Sequence, residues 1–528
     1  VEPKVAAFER VADVARRNAR ERPDKILFHF EGRATRYDEF DANSSRGANA
    51  LIALGLKPDD RVAYLGKNSD IYFELVMAVA KAGGVMTPVN WRLAVPEIAW
   101  IIDNCGARIL FVGPEFTDLV AANRDAFPGV EHVIATEGAA GGFADYRTWR
   151  DSFADTDPDV PRGTADAVIQ MYTSGTTGKP KGAVLTNGSV LRSKLDRDPA
   201  LQADWERWEA DDVGLVAMPC FHIGGTGYGI TVMTNGATGV ITREFDPGGV
   251  LDLIEAYGIS KIFMVPAAMQ IIVNQQRARD VDFSRLRHIA YGASPIPLDL
   301  LRQCIDIFQC GFVQMYGMTE TSGTIAALPP EDHDPAGNER MRSVGKPLRG
   351  VEMRVIDADG NPLPPREIGE IAIRTQANMR EYWGRPEATA ETIDRDGWLR
   401  TGDAGYTDED GYFYLHDRVK DMIISGGENV YPAEVENAIY GHPAVADVAI
   451  VGVPDDKWGE AVKACVVLRD GASADSADII GWARTRIAGY KCPKSVDFIP
   501  ALPRNPSGKI LRRELRAPYW EGRERQIS

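Results

Sequence analysis

Through most of the chain, compact apolar runs alternate with stretches whose apolar residues recur at helical spacing. RVAYLG from Arg61 is followed by a helical pattern from Asp70 (DIYFELVMAVAKAG), by VMTPVN from Val85, by a further helical stretch, and then by RILFVG from Arg108. Further compact strands, GLVAMP, TGVITRE, KIFMVP and HIAYG, each run into a Gly, Pro or polar turn. Strand and helix in regular succession predict layered α/β architecture with largely parallel sheets. Past about residue 340 the texture shifts to short strands and hairpin turns, as in VEMRVIDADGNPLP, EIAIRT and GYFYLHDR, the last entered through a Glu409-Asp410-Gly411 turn. Beyond Lys420 a compact α+β stretch follows, with a helix at PAEVENAIYGH, strands at VADVAIVGV and AVKACVVL, and a later helix expected to stop at Ala488-Gly489. The expected organisation is a large multi-subdomain N-terminal domain over residues 1–419, with a β-rich subdomain at about 340–419, and a small mobile C-terminal domain over 420–528.

One apolar segment tests this reading. From Val213 to Thr242 no residue carries a charge unless His222 is protonated, a length that could span a bilayer. Its seven glycines and Pro219 instead predict a buried strand-loop-helix segment. Composition narrows the function. Sixty Lys and Arg against 76 Asp and Glu give a net charge of −16 over 528 residues, with 44% apolar and 26% charged residues. That is ordinary globular composition, and its negative balance argues against nucleic acid as a partner. Six cysteines without a CxxC pair fit thiols kept reduced, so a cytoplasmic location is expected.

The chemistry-bearing segments begin with Met171-Tyr-Thr-Ser-Gly-Thr-Thr-Gly-Lys-Pro-Lys-Gly182. Four hydroxyls and two lysines in one short Gly-rich loop make a phosphate cradle: Gly admits backbone N–H groups to the anion, Ser and Thr donate, and Lys supplies charge. It is not a Walker A loop, because Lys179 is followed by Pro180 and Gly175 stands too close to Gly178. In Tyr316-Gly317-Met318-Thr319-Glu320 an aromatic face can pack on a flat base, the Thr can bond a phosphate and the Glu can hold Mg²⁺. Asp403, following Gly402, can accept ribose hydroxyls.

These segments resemble, in order, the motifs of the adenylate-forming superfamily, which includes acyl-CoA synthetases, peptide-synthetase adenylation domains and beetle luciferases. TSGTTGKPKG resembles its signature loop, Phe221-His222 its aromatic or His gate, YGMTE its YGxTE, Thr401-Gly-Asp403 its TGD, Asp417-Arg418-Val-Lys420-Asp421 its hinge, and Pro506-Ser-Gly-Lys509 its C-terminal lysine motif. The resemblance covers about residues 25–516. It implies that Thr173, Ser174, Gly175, Thr176, Thr177, Gly178 and Lys181 hold the phosphates of ATP, that Gly292, Ala293 and Ser294 lie along the adenine with Tyr316 and Gly317, and that Asp403 and Arg418 take the ribose and phosphate. Lys509 would reach in for adenylation beside Thr319, Glu320 and His222, with Glu320 the Mg²⁺ ligand and Lys420 the hinge.

The shared reaction joins a carboxylic acid to AMP, after which an acceptor attacks the mixed anhydride. No carboxylate occurs between Asp212 and Glu244 to hold a substrate ammonium, which disfavours an amino acid. The short stretch from Lys509 to Ser528 leads us to expect no fused carrier domain. Ser425-Gly426-Gly427-Glu428-Asn429 resembles the loop that lines the pantetheine path in acyl-CoA ligases, so coenzyme A is the expected acceptor and a separate carrier protein the alternative. The acyl pocket is expected from Phe221, His222, Ile223, Gly224 and Gly225, from Met264 and Val265, from Tyr291 and Gly292, and from Met315 to Gly323 including Gly317 and Ser322. Largely apolar and roomy, such a wall suits a hydrophobic or bulky acid rather than acetate. The tryptophan that follows the gate in several long-chain fatty acyl members is absent, since Ile223-Gly-Gly follows His222. Medium or long-chain fatty acids, aryl acids and alicyclic acids are left open, as are peripheral membrane contact and a homodimer.

Overall fold

The computed structural model describes residues 8–173, 180–195, 202–294, 296–418, 421–425, 428–455, 458–504 and 510–521. The expected α/β layers are present as two large sheets. The eight-stranded one runs in the order 381–382, 181–186, 167–173, 85–89, 61–65, 109–112, 132–135 and 144–145. Its parallel core is closed on one side by an antiparallel hairpin, β1 (Ala167–Thr173) and β2 (Lys181–Thr186), with Thr173 opposite Lys181. The helix Asp70–Lys81 is buried at every position, its apolar residues covering most of its circumference. Ser69 caps it by accepting from the Tyr72 N–H at 3.1 Å. Even Lys81 is enclosed, its ammonium on Asp41 Oδ1 at 2.6 Å, because a buried charge must be paired.

In the nine-stranded sheet, the uncharged Val213–Thr242 segment folds as strand Val213–Val216, helix α1 (Ile223–Thr234) and strand Thr238–Ile241. Beside it lie three parallel strands: β3 (Lys261–Met264), β4 (His288–Gly292) and β5 (Gly311–Met318). A four-stranded antiparallel sheet spans residues 352–418, and a five-stranded sheet occupies the C-terminal region. Within the latter, the helix expected to reach Ala488-Gly489 ends at Arg484. Its last buried position is Ala483, and the chain then turns, with the Arg486 and Ile487 N–H groups both donating to the Ala483 carbonyl. Among the described residues no helix is long and apolar enough to cross a membrane.

Register on β3–β4–β5 decides what faces what. Lys261 pairs with His288 and His288 with Gly311; Phe263 pairs with Ala290 and Ala290 with Val313; Gly292 pairs with Met315. Because side chains alternate along a strand, these rows share one face. The intervening row, Met264–Tyr291–Gln314, points the other way, and Met264 and Tyr291 are buried in a core with Leu300, Leu301 and Phe308. Truncation should separate the two faces. Met264→Ala is expected to lower unfolding free energy by about 2–5 kcal/mol. Phe263→Ala, on the open face, should cost clearly less; denaturant titration of both variants measures the difference.

Candidate active site

A cavity of about 1180 Å³ runs along the open face of β3–β4–β5. That exceeds what one small ligand needs, and suits a nucleotide and an acid side by side. At the carboxyl ends of the strands its lining is polar: Thr173, Lys181, Thr319, Glu320, Ser322 and Tyr382. Beyond that mouth the floor is mainly apolar, with Phe263, Ala290, Val313 and Met315, while Lys261, His288 and Glu206 also line the cavity toward the amino ends of the strands.

Thr173 reaches the polar end as the last residue of β1, and Glu320 through the short 3₁₀ turn that follows β5. The Thr173 hydroxyl lies 3.3 Å from Glu320 Oε1, and Tyr382 donates its O–H to the same oxygen at 2.8 Å. The Glu320 carbonyl accepts from the Met379 N–H at 2.7 Å, so the turn is fixed through its backbone as well. Tyr382 is a site residue the sequence reading missed. It arrives by an antiparallel bridge to Ala183 on β2, with the Lys181 ammonium 4.8 Å from its ring centroid, and no local motif announces such a long-range pairing. Both described bonds to the Glu320 side chain fall on Oε1. One buried carboxylate with an oxygen to spare fits Mg²⁺, which is commonly held by one or two carboxylates together with substrate phosphates and water. Among the described residues no cluster of three or more metal-ligating side chains offers an all-protein cage.

Asp403 stands on the strand Leu399–Thr407, where Tyr316 donates its O–H to Asp403 Oδ2 at 2.7 Å. Arg418 is paired with Asp403 in strand register. Gly292 and Gly317 are required by close approach: an added Cβ would lie 2.1 Å from the Met315 carbonyl oxygen and 2.0 Å from that of Gly323. Ala293 (φ 67°) and Ser322 (φ 54°) hold left-handed backbone just beyond β4 and the Glu320 turn. Such strain in non-glycine residues collects at functional sites. Ser294 follows directly on Ala293. Ser174, Gly175, Thr176, Thr177, Gly178, Lys420, Gly426, Gly427 and Lys509 lie outside the described residues.

His222 begins α1, its carbonyl accepting from the Gly225 and Thr226 N–H groups. Among the described residues its Nε2 is buried without a hydrogen-bond partner, against Phe221 at 4.5 Å between ring centroids. Burial, assisted by the Arg92 charge, pushes its pKa down to about 4, so the ring is neutral at physiological pH. Along α1 the cavity-lining positions are Ile223, Gly224, Gly227, Tyr228 and Thr231, one helical face. The sequence reading stopped short of the last three, which the same spacing extended by two turns would have found. Gly225, expected to leave room for substrate, faces away: a Cβ there would meet the Pro219 carbonyl oxygen at 2.3 Å.

Two strands correct the expected acyl wall by one residue each. Tyr291 does not line the cavity. It is fully buried on the opposite face, with its hydroxyl 2.9 Å from His333 Nε2 while His333 Nδ1 bonds the Pro329 carbonyl at 2.8 Å. Met264 likewise points into the core, and Ala290 and Phe263 line the cavity instead. On β5 the expected Met315 and Gly317 do face the cavity.

Comparison with known proteins matches this geometry to a family. A sequence model described as AMP-binding enzyme matches residues 15–383, and one described as AMP-binding enzyme C-terminal domain matches 434–509. The chain is 43% identical to a fatty acid–acyl-carrier-protein ligase of Streptomyces coeruleorubidus, covering 94% of each. It is 42% identical to a feruloyl-CoA synthase of Amycolatopsis, covering 95% of this chain and 98% of that protein. The structure of an anthranilate CoA ligase with anthranoyl-AMP superimposes with a TM-score of 0.89 at 26% identity, covering 98% of each chain. ATP-bound MatB of Rhodopseudomonas palustris superimposes with a TM-score of 0.86 at 30% identity, covering 97% of this chain and 99% of that one.

The buried histidine makes a checkable prediction. The folded state keeps His222 neutral down to about pH 4, whereas the unfolded chain protonates it near 6.5. The unfolded state therefore binds more protons as pH falls, and stability drops from about pH 6.5 toward 4, by about 3 kcal/mol for this group. Denaturant unfolding of His222→Asn should show a correspondingly shallower acid loss than the native protein.

The family models over residues 15–383 and 434–509 and the relatives agree with a cavity that is polar at its mouth and largely apolar beyond it: the chain belongs to the AMP-binding enzyme family, the adenylate-forming acid ligases.

Proposed function

We propose that this AMP-forming ligase activates a ring-bearing, chiefly aromatic carboxylic acid with ATP and passes the acyl group to coenzyme A. The acyl chamber carries this reading. Tyr228 and Phe263 lie nearly parallel, 28° apart with centroids at 6.4 Å, and Trp208 stands 6.1 Å from Tyr228. Gly224 leaves open the space beside Phe263, where a Cβ would come within 3.1 Å of the ring. Flat walls favour a flat guest. Relatives named for feruloyl-CoA, indoleacetate–CoA and anthranilate–CoA formation support it.

In the first half-reaction a carboxylate oxygen of the acid attacks the α-phosphorus of ATP; the acyl–O–P bond forms, the bond to the bridging oxygen breaks, and pyrophosphate leaves with the electron pair. Thr173, Lys181, Thr319 and the loop Ser174–Gly178 bind the phosphates, with Glu320 holding Mg²⁺, which supplies charge neutralisation. Gly292, Ala293, Ser294 and Tyr316 take the adenine, and Asp403 with Arg418 the ribose. Neutral His222 lies beside the acid carboxylate, where an imidazolium would lower its nucleophilicity. Lys509 stabilises the charge that develops on the transferring phosphoryl group. In the second half-reaction the thiol sulfur attacks the acyl carbonyl, AMP departs, and the thiol proton is lost. Rotation of residues 420–528 about Lys420 would exchange Lys509 for the Gly426-Gly427 loop between the steps. A cytoplasmic site of action agrees with ATP and coenzyme A as substrates.

The carrier-protein ligase among the relatives favours a second reading, in which the same adenylate is delivered to a carrier thiol. Pyrophosphate release over a panel of aromatic, alicyclic and fatty acids, with mass spectrometry of the product, separates the two. The expected outcome is preference for an aromatic acid and a thioester that forms only with coenzyme A; an adenylate that accumulates without thioester would favour the carrier. Lys509→Ala should slow adenylation by about 10²-fold or more. It should leave thioester formation from supplied acyl-adenylate nearly intact, and equal loss in both half-reactions would overturn domain alternation.

A further inference from the structure

The segment at the far end of the acyl chamber is held in place chiefly by a buried lysine. Lys261, at the amino end of β3, is only 5% exposed and lines the cavity. Its ammonium donates to the Trp205 carbonyl at 3.0 Å and to the Arg207 carbonyl, and sits 5.1 Å from the centre of the Trp208 ring. Trp205, Glu206 and Trp208 all line the cavity, so the segment these bonds hold forms part of its wall. Trp208 is wedged further by Gly214, where an added Cβ would lie 3.0 Å from the indole. A second tether acts from β4: Arg287 bonds Asp212 Oδ2 at 2.6 Å and the Arg207 carbonyl at 3.4 Å.

Strand geometry gives the depth of this end. Gly292 marks the nucleotide end of β4 and His288 its amino end, in register with Lys261. Four residues of parallel strand span about 13 Å. An acid whose carboxylate sits near Gly292 therefore meets the Trp208 wall after roughly that distance.

We propose that Lys261 is a specificity-determining positioning residue: by latching residues 205–208 over the amino ends of β3 and β4 it makes the acyl chamber blind, and so sets the longest acid the ligase accepts. This rests on the reading that the chamber takes the acyl group, and it adds the substrate class, compact ring-bearing acids and short chains in preference to long-chain fatty acids. Lysine suits the task because one ammonium can donate to several backbone carbonyls at once, while its stem packs along apolar walls.

The test is the chain-length profile of coenzyme A-dependent pyrophosphate release, read as kcat/KM for cinnamate, octanoate and hexadecanoate. Wild-type protein should strongly prefer the first two; equal turnover of hexadecanoate would overturn the proposal without any variant. Lys261→Met keeps the apolar stem and removes the donors, and should raise the hexadecanoate-to-cinnamate ratio by about tenfold or more, the scale on which apolar pockets discriminate. Lys261→Arg, which restores donors to the two carbonyls, should return the ratio toward wild type. Trp208→Ala opens the wall while keeping both carbonyl acceptors of Lys261 and should shift the ratio the same way, keeping the question answerable if Lys261→Met folds poorly. Folded variants with an unchanged length profile would refute the latch. A wild-type enzyme inactive on every acid would instead refute the acid-ligase reading on which it rests.

Discussion

The register of the three parallel strands β3, β4 and β5 is the constraint on which the site depends. Side chains alternate between faces, so the rows Lys261–His288–Gly311, Phe263–Ala290–Val313 and Gly292–Met315 lie under the cavity, while Met264–Tyr291–Gln314 lies against the helices. A slip of one residue would exchange the two sets, placing Tyr291 and Met264 in the chamber and exposing the core. Dense packing behind the sheet, around Tyr291, Leu301 and Phe308, therefore also fixes the chamber floor.

Along those strands the site divides by chemistry. Glu320, Thr173, Tyr382 and Lys181 gather near the carboxyl ends, where open α/β sheets generally bind ligands because loops and turns there can present polar groups that the sheet itself has no room for. Toward the amino ends the aromatic rings of Phe263, Tyr228 and Trp208 line the cavity. At the junction lie two buried polar atoms without partners among the described residues, His222 Nε2 and Ser322 Oγ. Leaving such atoms unpaired typically costs about 1–3 kcal/mol each. A ligand that satisfies them recovers part of that cost on binding, which couples stability to occupancy.

Much of the architecture was legible because it rests on local chemistry. The helical spacing of apolar residues at 70–81 announced a helix, and glycines with Pro219 made Val213–Thr242 a strand-loop-helix segment rather than a membrane span. The polar mouth was legible too, since Thr173, Thr319 and Glu320 belong to short motifs whose composition carries their chemistry. The acyl wall was less so. Apolar strands such as KIFMVP and HIAYG carry apolar residues on both faces, so their composition does not say which alternate residues face a cavity; of the expected pair Tyr291 and Gly292 only Gly292 lies on the cavity-facing row, and Met264 lies on the opposite one.

By itself the sequence determined the family, the layered fold and the residue types at the nucleotide end, because those follow from ordered motifs and from hydrophobic periodicity over many positions. Tertiary structure alone decided the faces of β3 and β4, the arrival of Tyr382 beside Glu320, and the closure of the chamber by Trp208 under the hold of Lys261. Each of these is a contact between segments distant in the chain, fixed by strand pairing and packing rather than by any residue's own preference.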